Sequence, residues 1–402
     1  MKQAEAVRLF SSINFVWGFW AAPFSVFVAI YLSQAGVSDS AIGLLFGVNF
    51  LMALIVSLPS GMLSDRINPR NVMLLGLALT APFYLALTLT DSLLLLGAIF
   101  VIDALGANLY GIAADSAMYR SIESGKGKAF GIIHFVLNLG GALGYLACGY
   151  LLTSYGFQGL GLFFLLPAGV MMLFALKIPV ASVRLEQGRV SSYLKDFRRK
   201  EFLLLAAAVF LLAYHWGAEK TSFPLYASNV LLLSNEQLGL FFSANLAVYA
   251  VAGLLAGRLI EVSRHRTRLF ILGLVISAAG ALIYSFSYDF GSALLSRLLH
   301  DSGDAILGVS IMMAVSALAS KGRAGGVVGA MAIVYVIANF VGAVASGYIN
   351  QYFGYAPAIQ VAALLTFASA IVLALAVKGG ISRSPFAAKP SHPPASLQAF
   401  LP

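Results

Sequence analysis

The positively charged residues of this chain occur at alternate ends of its hydrophobic segments. Of the 25 lysines and arginines, all but Lys220 and Arg297 lie near a chain end or in every second connection between apolar stretches. Each stretch is long enough to cross a bilayer as an α-helix. The pattern predicts an all-α integral membrane protein with twelve transmembrane helices at 9–34, 39–63, 71–90, 92–118, 127–154, 157–177, 202–231, 236–260, 269–287, 291–319, 325–351 and 355–378.

The charge distribution also predicts the orientation of the chain. Connections on the second side contain no lysine or arginine, and their acidic residues are Asp39, Asp91, Glu236 and Asp289. Cytoplasmic loops carry the excess of Lys and Arg, so both termini are expected to be cytoplasmic. We therefore expect a multi-pass protein of the cell membrane, meaning an inner or plasma membrane.

The composition excludes several other classes of protein. Hydrophobic residues make up 60% and charged residues 10%, far from the balance of a soluble domain. The net charge of +9 is spread over short loops, so it indicates contact with anionic lipid headgroups and not with nucleic acid. The single cysteine, Cys148, lies in an apolar segment, so we expect no disulfide framework, no Cys/His metal site and no cofactor.

The two halves of the sequence repeat each other at an offset of 196 to 198 residues. Gly43 matches Gly239 and Asp103 matches Asp301, and the shared offset extends across six helices. Because each half has an even number of helices, the halves are predicted to be parallel and related by a pseudo-twofold axis along the membrane normal. The predicted units are an N-terminal six-helix bundle at 1–177, a cytoplasmic linker at 178–201, a C-terminal six-helix bundle at 202–378 and a disordered cytoplasmic tail at 379–402.

A recognisable motif lies between helices 2 and 3. It reads Gly61-Met-Leu-Ser-Asp65-Arg66-Ile-Asn-Pro-Arg70, and a degraded copy runs from Gly257 to Glu261 in the second half. The motif resembles the G-x-L-x-D-R-x-x-x-R signature of the major facilitator superfamily, and the resemblance covers essentially residues 8–378. It implies a twelve-helix secondary transporter that functions as a monomer, closest in pattern to drug and metabolite exporters.

The resemblance further implies a cytoplasmic latch. In family members the Asp of the motif caps the N-terminal end of helix 11, and its Arg pairs with an acid at the cytoplasmic end of helix 4. These roles correspond here to Asp65, to Arg66 or Arg70, and to Asp115. An anion at a helix N-terminus and an ion pair at a low-dielectric interface would hold one conformation closed. The alternative is that these are loop charges that only set the orientation.

Helix 5 departs from the pattern of many proton antiporters in the family. Their G-x-x-x-G-P-x-x-G-G motif corresponds here to Gly140, Gly144, Tyr145, Cys148 and Gly149, so the proline is replaced by Tyr145 and one glycine by Cys148. The remaining small residues allow close helix packing whatever the function. The departure makes antiport less certain without excluding it.

Six ionisable residues lie within predicted helices, and they are Asp103, Glu219, Lys220, Arg297, Asp301 and Asp304. A charge near the bilayer centre is costly and normally faces a partner or a cavity. Arg297, Asp301 and Asp304 are spaced by four and three residues, so they share one face of helix 10, which His300 flanks. We expect Arg297 to pair with Asp301, which leaves Asp304 as the better proton carrier. The alternative is a purely structural polar network.

Helix 7 contributes two adjacent charges that point in different directions. Glu219 and Lys220 are roughly 100° apart on a helix. Pro224 displaces the hydrogen bond to the carbonyl of Lys220, so a kink is predicted there. Lys220 could neutralise Asp103 or Asp304, or bind an anionic group of a substrate.

Further residues are candidates for the wall of a central cavity. His134 and Asn138 are one turn apart on helix 5, and Asp103 and Asp301 are expected to approach the axis from opposite sides. His215 lies one turn from Glu219 and is either a packing residue or part of a proton relay. Trp17, Trp20 and Trp216 lie too deep for an interfacial belt and suit either bundle packing or a substrate wall.

These patterns predict a secondary active transporter that works by alternating access. The expected activity is proton-coupled efflux of an amphipathic compound, cationic or zwitterionic, with Asp103, Glu219, Asp301 and Asp304 exchanging protons. No nucleotide-binding motif of the G-x-x-x-x-G-K-[ST] type occurs, so ATP drive is not expected. The expected partners are a small-molecule substrate, protons and the lipid bilayer.

Two alternatives remain open. A uniporter or proton symporter for a small polar metabolite would fit the altered helix 5 and the mixed charges of the cavity. From a different class, the chain could be a transport-dead membrane sensor or scaffold. An enzyme is not expected, because no metal-ligand cluster and no nucleophile with a clear base are evident in the sequence.

Overall fold

The computed structural model describes residues 3–66, 68–122, 126–178, 200–263, 265–318 and 324–378. Every secondary-structure element within these ranges is helical, in agreement with the predicted all-α fold. Nearly all of the predicted linker at 178–201 and the whole predicted tail at 379–402 lie outside the described residues. The side chains of 57–66 and 324–329 and of Glu261 also lie outside the description.

Twelve membrane spans follow one another, and we number them α1 to α12. Their bounds are α1 Gln3–Ala21 with Phe24–Gln34, α2 Asp39–Arg66, α3 Pro69–Thr80 with Phe83–Leu87, α4 Leu93–Ser121, α5 126–155, α6 157–175, α7 Lys200–Glu219 with Ser222–Leu225 and the π-helical turn Tyr226–Val230, α8 Asn235–Val262, α9 Arg266–Tyr284, α10 Phe290–Leu318, α11 Ala324–Phe353 and α12 Tyr355–Lys378. We call the membrane side at which α1 begins and α12 ends the terminal face, and the other side the opposite face.

The boundary between α5 and α6 is a single glycine. By length and composition, eleven helical segments of the described chain could cross a membrane, and one of them, Gly131–Ala175, lies within the helical stretch Lys126–Ala175 of 50 residues. A straight helix of that length would measure about 75 Å, more than twice the hydrocarbon thickness of about 30 Å. Gly156 divides it with φ 64° and ψ −174°, a conformation that side chains with a Cβ rarely adopt. The predicted count of twelve spans is therefore confirmed.

Prolines divide three of the spans. The second part of α1 begins after Pro23 and that of α3 after Pro82. In α7 the helix ends at Glu219 and resumes at Ser222, just before Pro224, and a π-helical turn follows. Proline lacks an N–H and its ring clashes with the preceding turn, so each break has a local cause. The predicted kink of helix 7 is confirmed.

The packing of the helices repeats between the halves. In the first half α1 packs on α5, α4 on both α2 and α3, and α3 on α6. In the second half α7 packs on α11, α10 on both α8 and α9, and α9 on α12. The two halves meet mainly through α2 with α11 and through α5 with α8, which are equivalent pairs under the repeat. The result is two pseudo-symmetric six-helix bundles.

Glycines bring the bundles together near the opposite face. A Cβ on Gly43 of α2 would lie 2.8 Å from the Cα of Gly347 on α11. In the equivalent pair, a Cβ on Gly239 of α8 would lie 3.1 Å from the Cα of Gly149 on α5. Neither site has room for a larger residue, so the closest approach of the two bundles depends on these four glycines.

The α5–α8 pair diverges toward the terminal face. Gly131 and Gly257 lie 18 residues from Gly149 and Gly239, which is five helical turns, so each points in the same direction as its counterpart. A Cβ on either residue would meet nothing within 4 Å. Among the described residues, the bundles are therefore in contact at the opposite face, and this pair shows no such contact at Gly131 and Gly257 near the terminal face.

Candidate functional site

A central cavity with two connected parts lies between the bundles. Ser25, Tyr145, Lys220 and Leu246 line both parts. The charged part has a volume of about 230 Å³, and its other walls include Trp216, Glu219, Phe242, Asn245, Tyr249, Arg297, Asp301 and Asp304. The aromatic part has a volume of about 410 Å³, and its other walls include Trp17, Phe24, Phe46, Asn49, Phe50, Leu137 and Asn138. The cavity is thus charged where the C-terminal bundle forms it and apolar where the N-terminal bundle does.

Arg297 of α10 connects two acidic residues. It forms an ion pair with Glu219 of α7 and a second one, at 3.0 Å, with Asp301 one turn away on its own helix. Its guanidinium carbon lies 4.7 Å from the ring centroid of Phe223. The predicted pairing of Arg297 with Asp301 is confirmed, whereas the contact with Glu219 was not anticipated. Glu219 is the last residue of the first helical part of α7.

Two hydrogen-bond donors hold the side chain of Asp304. The indole Nε1 of Trp216 donates to Oδ2 at 2.6 Å, and the hydroxyl of Ser277 on α9 donates to Oδ1 at 2.6 Å. Asp304 is 4% exposed, and both donors suit an ionised carboxylate. The expectation that Asp304 carries a proton remains a prediction.

Two buried histidines lie beside Asp304. The Nε2 atoms of His215 on α7 and His300 on α10 are 3.0 Å apart, and both side chains are fully buried. They lie 3.9 and 3.6 Å from Oδ2 of Asp304. Ligand atoms of these three residues and of Glu219 all lie within 4.8 Å of one another. No metal-ligand cluster was expected from the sequence, although two spacings could have indicated this one: H-x-x-x-E at 215–219 and H-x-x-x-D at 300–304.

Lys220 lines both parts of the cavity. It is half-buried, and among the residues that the structure describes its side chain forms no ion pair and no hydrogen bond. Other polar atoms of the charged part also lack a hydrogen-bond partner among the described residues, namely both amide atoms of Asn245, Oδ2 of Asp301, and Nε and Nη1 of Arg297. Lys220 was expected to neutralise Asp103, to neutralise Asp304 or to bind an anionic group of a substrate. Because it pairs with neither aspartate among the described residues, the third role is the one that stays a prediction.

Asp103 has a different environment from its repeat partner Asp301. It is 5% exposed on α4 and accepts a hydrogen bond from Thr80 of α3, and the side chain of Asn49 on α2 lies near it. No cation of the described chain pairs with it. Asn49 lines the aromatic part, so Asp103 lies one residue behind the cavity wall, whereas Asp301 is part of the wall.

The remaining residues that were predicted to line the cavity lie in three places: the cavity wall, the exposed surface and the buried core. Trp216 and Asn138 line the cavity, and the amide of Asn138 donates to the carbonyl of His134 at 3.0 Å. His134 is exposed, outside the lining residues. Trp20 is 4% exposed, and its ring lies edge-on to Tyr84 at 5.8 Å. Trp17, from the same helix, forms part of the wall instead.

The predicted latch is only partly within the described structure. The side chains of Gly61, Asp65, Arg66 and Glu261 lie outside the described residues. The backbone N–H of Arg70 donates to Asn68, which begins the helix of α3, and no ion pair joins Arg70 to the exposed Asp115 among the described side chains. Near the terminal face, α5 and α8 show no close contact at Gly131 and Gly257 among the described residues, which agrees with an unlatched conformation.

A polar cluster closes the opposite face. The side-chain amide of Asn229, in the π-helical turn of α7, donates to Ser33 at 3.0 Å and to the hydroxyl of Tyr355 at 2.9 Å. The Tyr355 hydroxyl in turn donates to Asp39 at 3.3 Å. Ser33 and Asp39 belong to the first bundle, and Asn229 and Tyr355 to the second. We call these four residues the opposite-face clamp.

Solved structures of several transporters have the same fold. A bacterial homologue of the human lysosomal transporter Spinster, in an inward-facing unoccupied conformation, matches with a TM-score of 0.70 and 16% identity over 96% of each chain. The nucleoside transporter NupG matches with a TM-score of 0.73 and 13% identity over 92% of this chain and 98% of its own. A POT family transporter in complex with 5-aminolevulinic acid matches with a TM-score of 0.72 and 13% identity over 93% of this chain and 95% of its own.

The sequence itself matches a family model. No individual curated protein matches the chain at a significant level. The model of the Major Facilitator Superfamily matches residues 9–233 and again residues 205–401. The two matched ranges overlap at residues 205–233 and together cover nearly the whole chain. This chain therefore belongs to the major facilitator superfamily, and it is an integral membrane protein with the fold of that superfamily's transporters.

Proposed function

We propose that this protein is a secondary active transporter for a small amphipathic zwitterion, which it exports in exchange for protons by alternating access. The observation that supports the substrate class is that three polar groups of the charged part, the side chains of Lys220 and Asn245 and Oδ2 of Asp301, have no hydrogen-bond or ion-pair partner among the described residues. A buried polar group without a partner is costly, so a ligand that supplies the partners gains affinity.

The three groups differ in what they would bind. The ammonium of Lys220 suits a carboxylate or phosphate, the free oxygen of Asp301 suits an ammonium, and the amide of Asn245 suits either a donor or an acceptor. Beside them, Trp17, Phe24, Phe46 and Phe50 offer an apolar surface for the remainder of the molecule. An amino-acid-like or short peptide-like compound with an apolar tail satisfies all of these groups. The ligand of the similar POT family structure, 5-aminolevulinic acid, also carries an amine and a carboxylate.

Proton coupling is assigned to Asp103. The groups that face it are Thr80 on α3, Asn49 on α2 and the nearby Tyr84, and none of them carries a charge. A carboxyl group at this depth without a cation beside it is most easily kept neutral by a proton. Asn49, which lies near Asp103, is part of the cavity wall, so a change of access to the cavity would change the access of protons to Asp103.

We also propose an orientation in the membrane and an assembly state for the protein. The cations of the described chain that lie near the ends of spans, among them Arg70, Arg258 and Lys378, belong to the terminal face, which is therefore taken as cytoplasmic. Residues 178–201 then form a cytoplasmic linker between the bundles. The protein is proposed to reside in the cell membrane and to function as a monomer, since the cavity lies within one chain.

Proton symport or uniport of a small polar metabolite is the second candidate. One observation favours it: Tyr145, which lines both parts of the cavity, stands where the antiporter motif of the family has proline. The two candidates differ in their pH dependence. Competition between substrate and proton makes binding stronger at high pH, whereas symport makes it stronger at low pH.

The test is a ligand-stabilisation screen of the purified protein at about pH 5.5 and pH 8. The panel contains amino acids, dipeptides, lipophilic cations and organic anions. We expect an apolar zwitterion to raise Tm more at pH 8, Lys220→Gln to weaken its binding at least roughly tenfold, and Asp103→Asn to remove the pH dependence. Lys200→Gln, which changes an exposed lysine outside the cavity, is the matched control. Binding only of cations, or binding unaffected by Lys220→Gln, would refute the substrate class.

A further inference from the structure

Two histidine–carboxylate pairs face each other across the contact between α7 and α10. His215 and Glu219 are spaced by four residues on α7, and His300 and Asp304 are spaced by four residues on α10. Residues at this spacing share one face of a helix. All four ligand atoms lie within 4.8 Å of one another, and three of the four residues are fully or almost fully buried.

The separations are close to those of atoms that share one metal ion. Nitrogen and oxygen ligands bound at about 2.1 Å lie roughly 3.0–3.5 Å from each other. In the structure His215 Nε2 is 3.0 Å from His300 Nε2, and these nitrogens are 3.9 and 3.6 Å from Asp304 Oδ2. Shifts of a few tenths of an ångström would bring these three atoms to the edge lengths of a coordination polyhedron.

Hydrogen bonds from Ser277 orient two of the four candidate ligands, whereas Nδ1 of His215 has no hydrogen-bond partner among the described residues. His300 Nδ1 lies 2.8 Å from the carbonyl oxygen of Ser277, which can only accept, so Nδ1 carries a proton and the lone pair of Nε2 points into the cluster. The Ser277 hydroxyl holds the other oxygen of Asp304 at 2.6 Å. Histidine ligands of metals are normally fixed in this way by a carbonyl or a carboxylate. One residue of α9 thus orients two ligands on α10.

The local excess of carboxylates over cations is a second, independent reason to expect a bound cation. Three carboxylates lie on α7 and α10 within this region, Glu219, Asp301 and Asp304, and the one cation that pairs with any of them among the described residues is Arg297. Arg297 contacts Glu219 and Asp301 and leaves Asp304 without a charged partner except the histidines. A buried anion needs compensation, and a divalent ion would provide it.

From these observations we infer that His215, Glu219, His300 and Asp304 form a binding site for one divalent first-row transition-metal ion. Two imidazoles with two carboxylates suit Zn²⁺, Co²⁺, Fe²⁺ or Mn²⁺ and not the all-oxygen preference of Ca²⁺ or Mg²⁺. Binding requires the His215 tautomer with its proton on Nδ1, so that both Nε2 lone pairs are available. Glu219 would contribute the oxygen that Arg297 does not hold.

An occupied site would connect the kinked part of α7 to α10. Glu219 and Asp304 line the charged part of the cavity, so the ion would also change the charge of that wall. The inference goes beyond the proposed function, because a metal site can exist whatever the transported compound is. Its test therefore measures binding and not transport.

The experiment uses the full-length protein in detergent, purified with a cleavable tag that is then removed. Co²⁺ is titrated while the visible d–d absorption is recorded, and bound Zn²⁺ is counted by mass spectrometry after desalting. We expect one ion per chain, and Zn²⁺ should displace Co²⁺ and abolish its absorption. His300→Gln and His215→Gln should each weaken binding by about 100-fold or more, and Ser277→Ala by about 10-fold.

His134→Gln is the matched control, since it removes a histidine from a membrane span outside the cluster. It should bind the ion as the wild-type protein does. The inference is overturned if the wild-type protein binds less than one ion per chain, if either cluster variant retains wild-type affinity, or if His134→Gln abolishes binding. Should a histidine variant fail to elute as a monodisperse peak, Ser277→Ala decides, and unchanged affinity in that variant also counts against the site.

Discussion

Arg297 of α10 forms an ion pair with Glu219, the last residue of the first helical part of α7. The two residues are 78 positions apart in the chain, and the break before Pro224 ends the helix at Glu219. Through this pair and the second one with Asp301, a single guanidinium connects the interrupted helix to the charged wall of the cavity. The stability of this arrangement depends on all three charges being present together.

Removal of the guanidinium should therefore destabilise the protein strongly. Arg297→Gln leaves Glu219 and Asp301 buried without a cation, and breaking a buried pair in this way costs about 3–5 kcal/mol. We expect a clearly lowered Tm in detergent. The double variant with Glu219→Gln should lose less than the sum of the single changes, because the two residues interact. Arg258→Gln, an exposed arginine, serves as control, and equal Tm values for both arginine variants would contradict the prediction.

Loss of the opposite-face clamp should favour the conformation that is open on that side. Tyr355→Phe removes the hydroxyl that donates to Asp39 and accepts from Asn229. Two hydrogen bonds together contribute about 1–2 kcal/mol, which changes the ratio of conformations by a factor of roughly 5–30. Labelling of Ser25→Cys by an impermeant thiol reagent, in a Cys148→Ala background, should accelerate accordingly. Tyr352→Phe, at an exposed tyrosine, should leave the rate unchanged; equal acceleration in both would argue against the clamp.

The glycine contact between α2 and α11 should be equally sensitive. In Gly43→Ala the new Cβ would lie 2.6 Å from the carbonyl oxygen of Ala343 and 2.8 Å from the Cα of Gly347, so the helices must separate. We expect the same increase in labelling from the opposite face. Gly253→Ala is the control, because a Cβ there meets nothing within 4 Å and alanine stabilises a helix by roughly 0.5–1 kcal/mol relative to glycine. A wild-type labelling rate for Gly43→Ala would rule out a role for this contact in closure.

The latch expected from the family resemblance can be tested from the terminal face. Asp65→Asn keeps the size of the side chain and removes the charge that would interact with the N-terminal end of α11. We expect faster thiol labelling of a cavity cysteine from that face, in inside-out vesicles. Asp115→Asn should have a similar effect if the acid of α4 belongs to the same latch. Labelling that does not change in Asp65→Asn would leave the motif with an orientation role only.

Several features of this protein could be predicted from the sequence because they depend on local properties. Hydrophobic length determined the spans, the positions of Lys and Arg indicated their alternation, and the common offset of pairs such as Gly43 and Gly239 indicated the repeat. Pro224 predicted the break in α7, since its effect is exerted on its own helical turn. The pairing of Arg297 with Asp301 also followed from spacing within one helix.

Contacts between different helices could not be predicted in the same way. The meeting of His215 with His300 joins residues 85 positions apart, and that of Tyr355 with Asp39 joins residues 316 positions apart. Such contacts depend on how each helix is rotated and shifted against its neighbours, and hydrophobicity all round a membrane helix leaves that rotation unspecified. The sequence by itself therefore determined the spans, the repeat and the family. The tertiary structure alone decided that Lys220 lines the cavity without an ion pair among the described residues, that Asp103 lies behind the cavity wall and that His215, Glu219, His300 and Asp304 converge between α7 and α10.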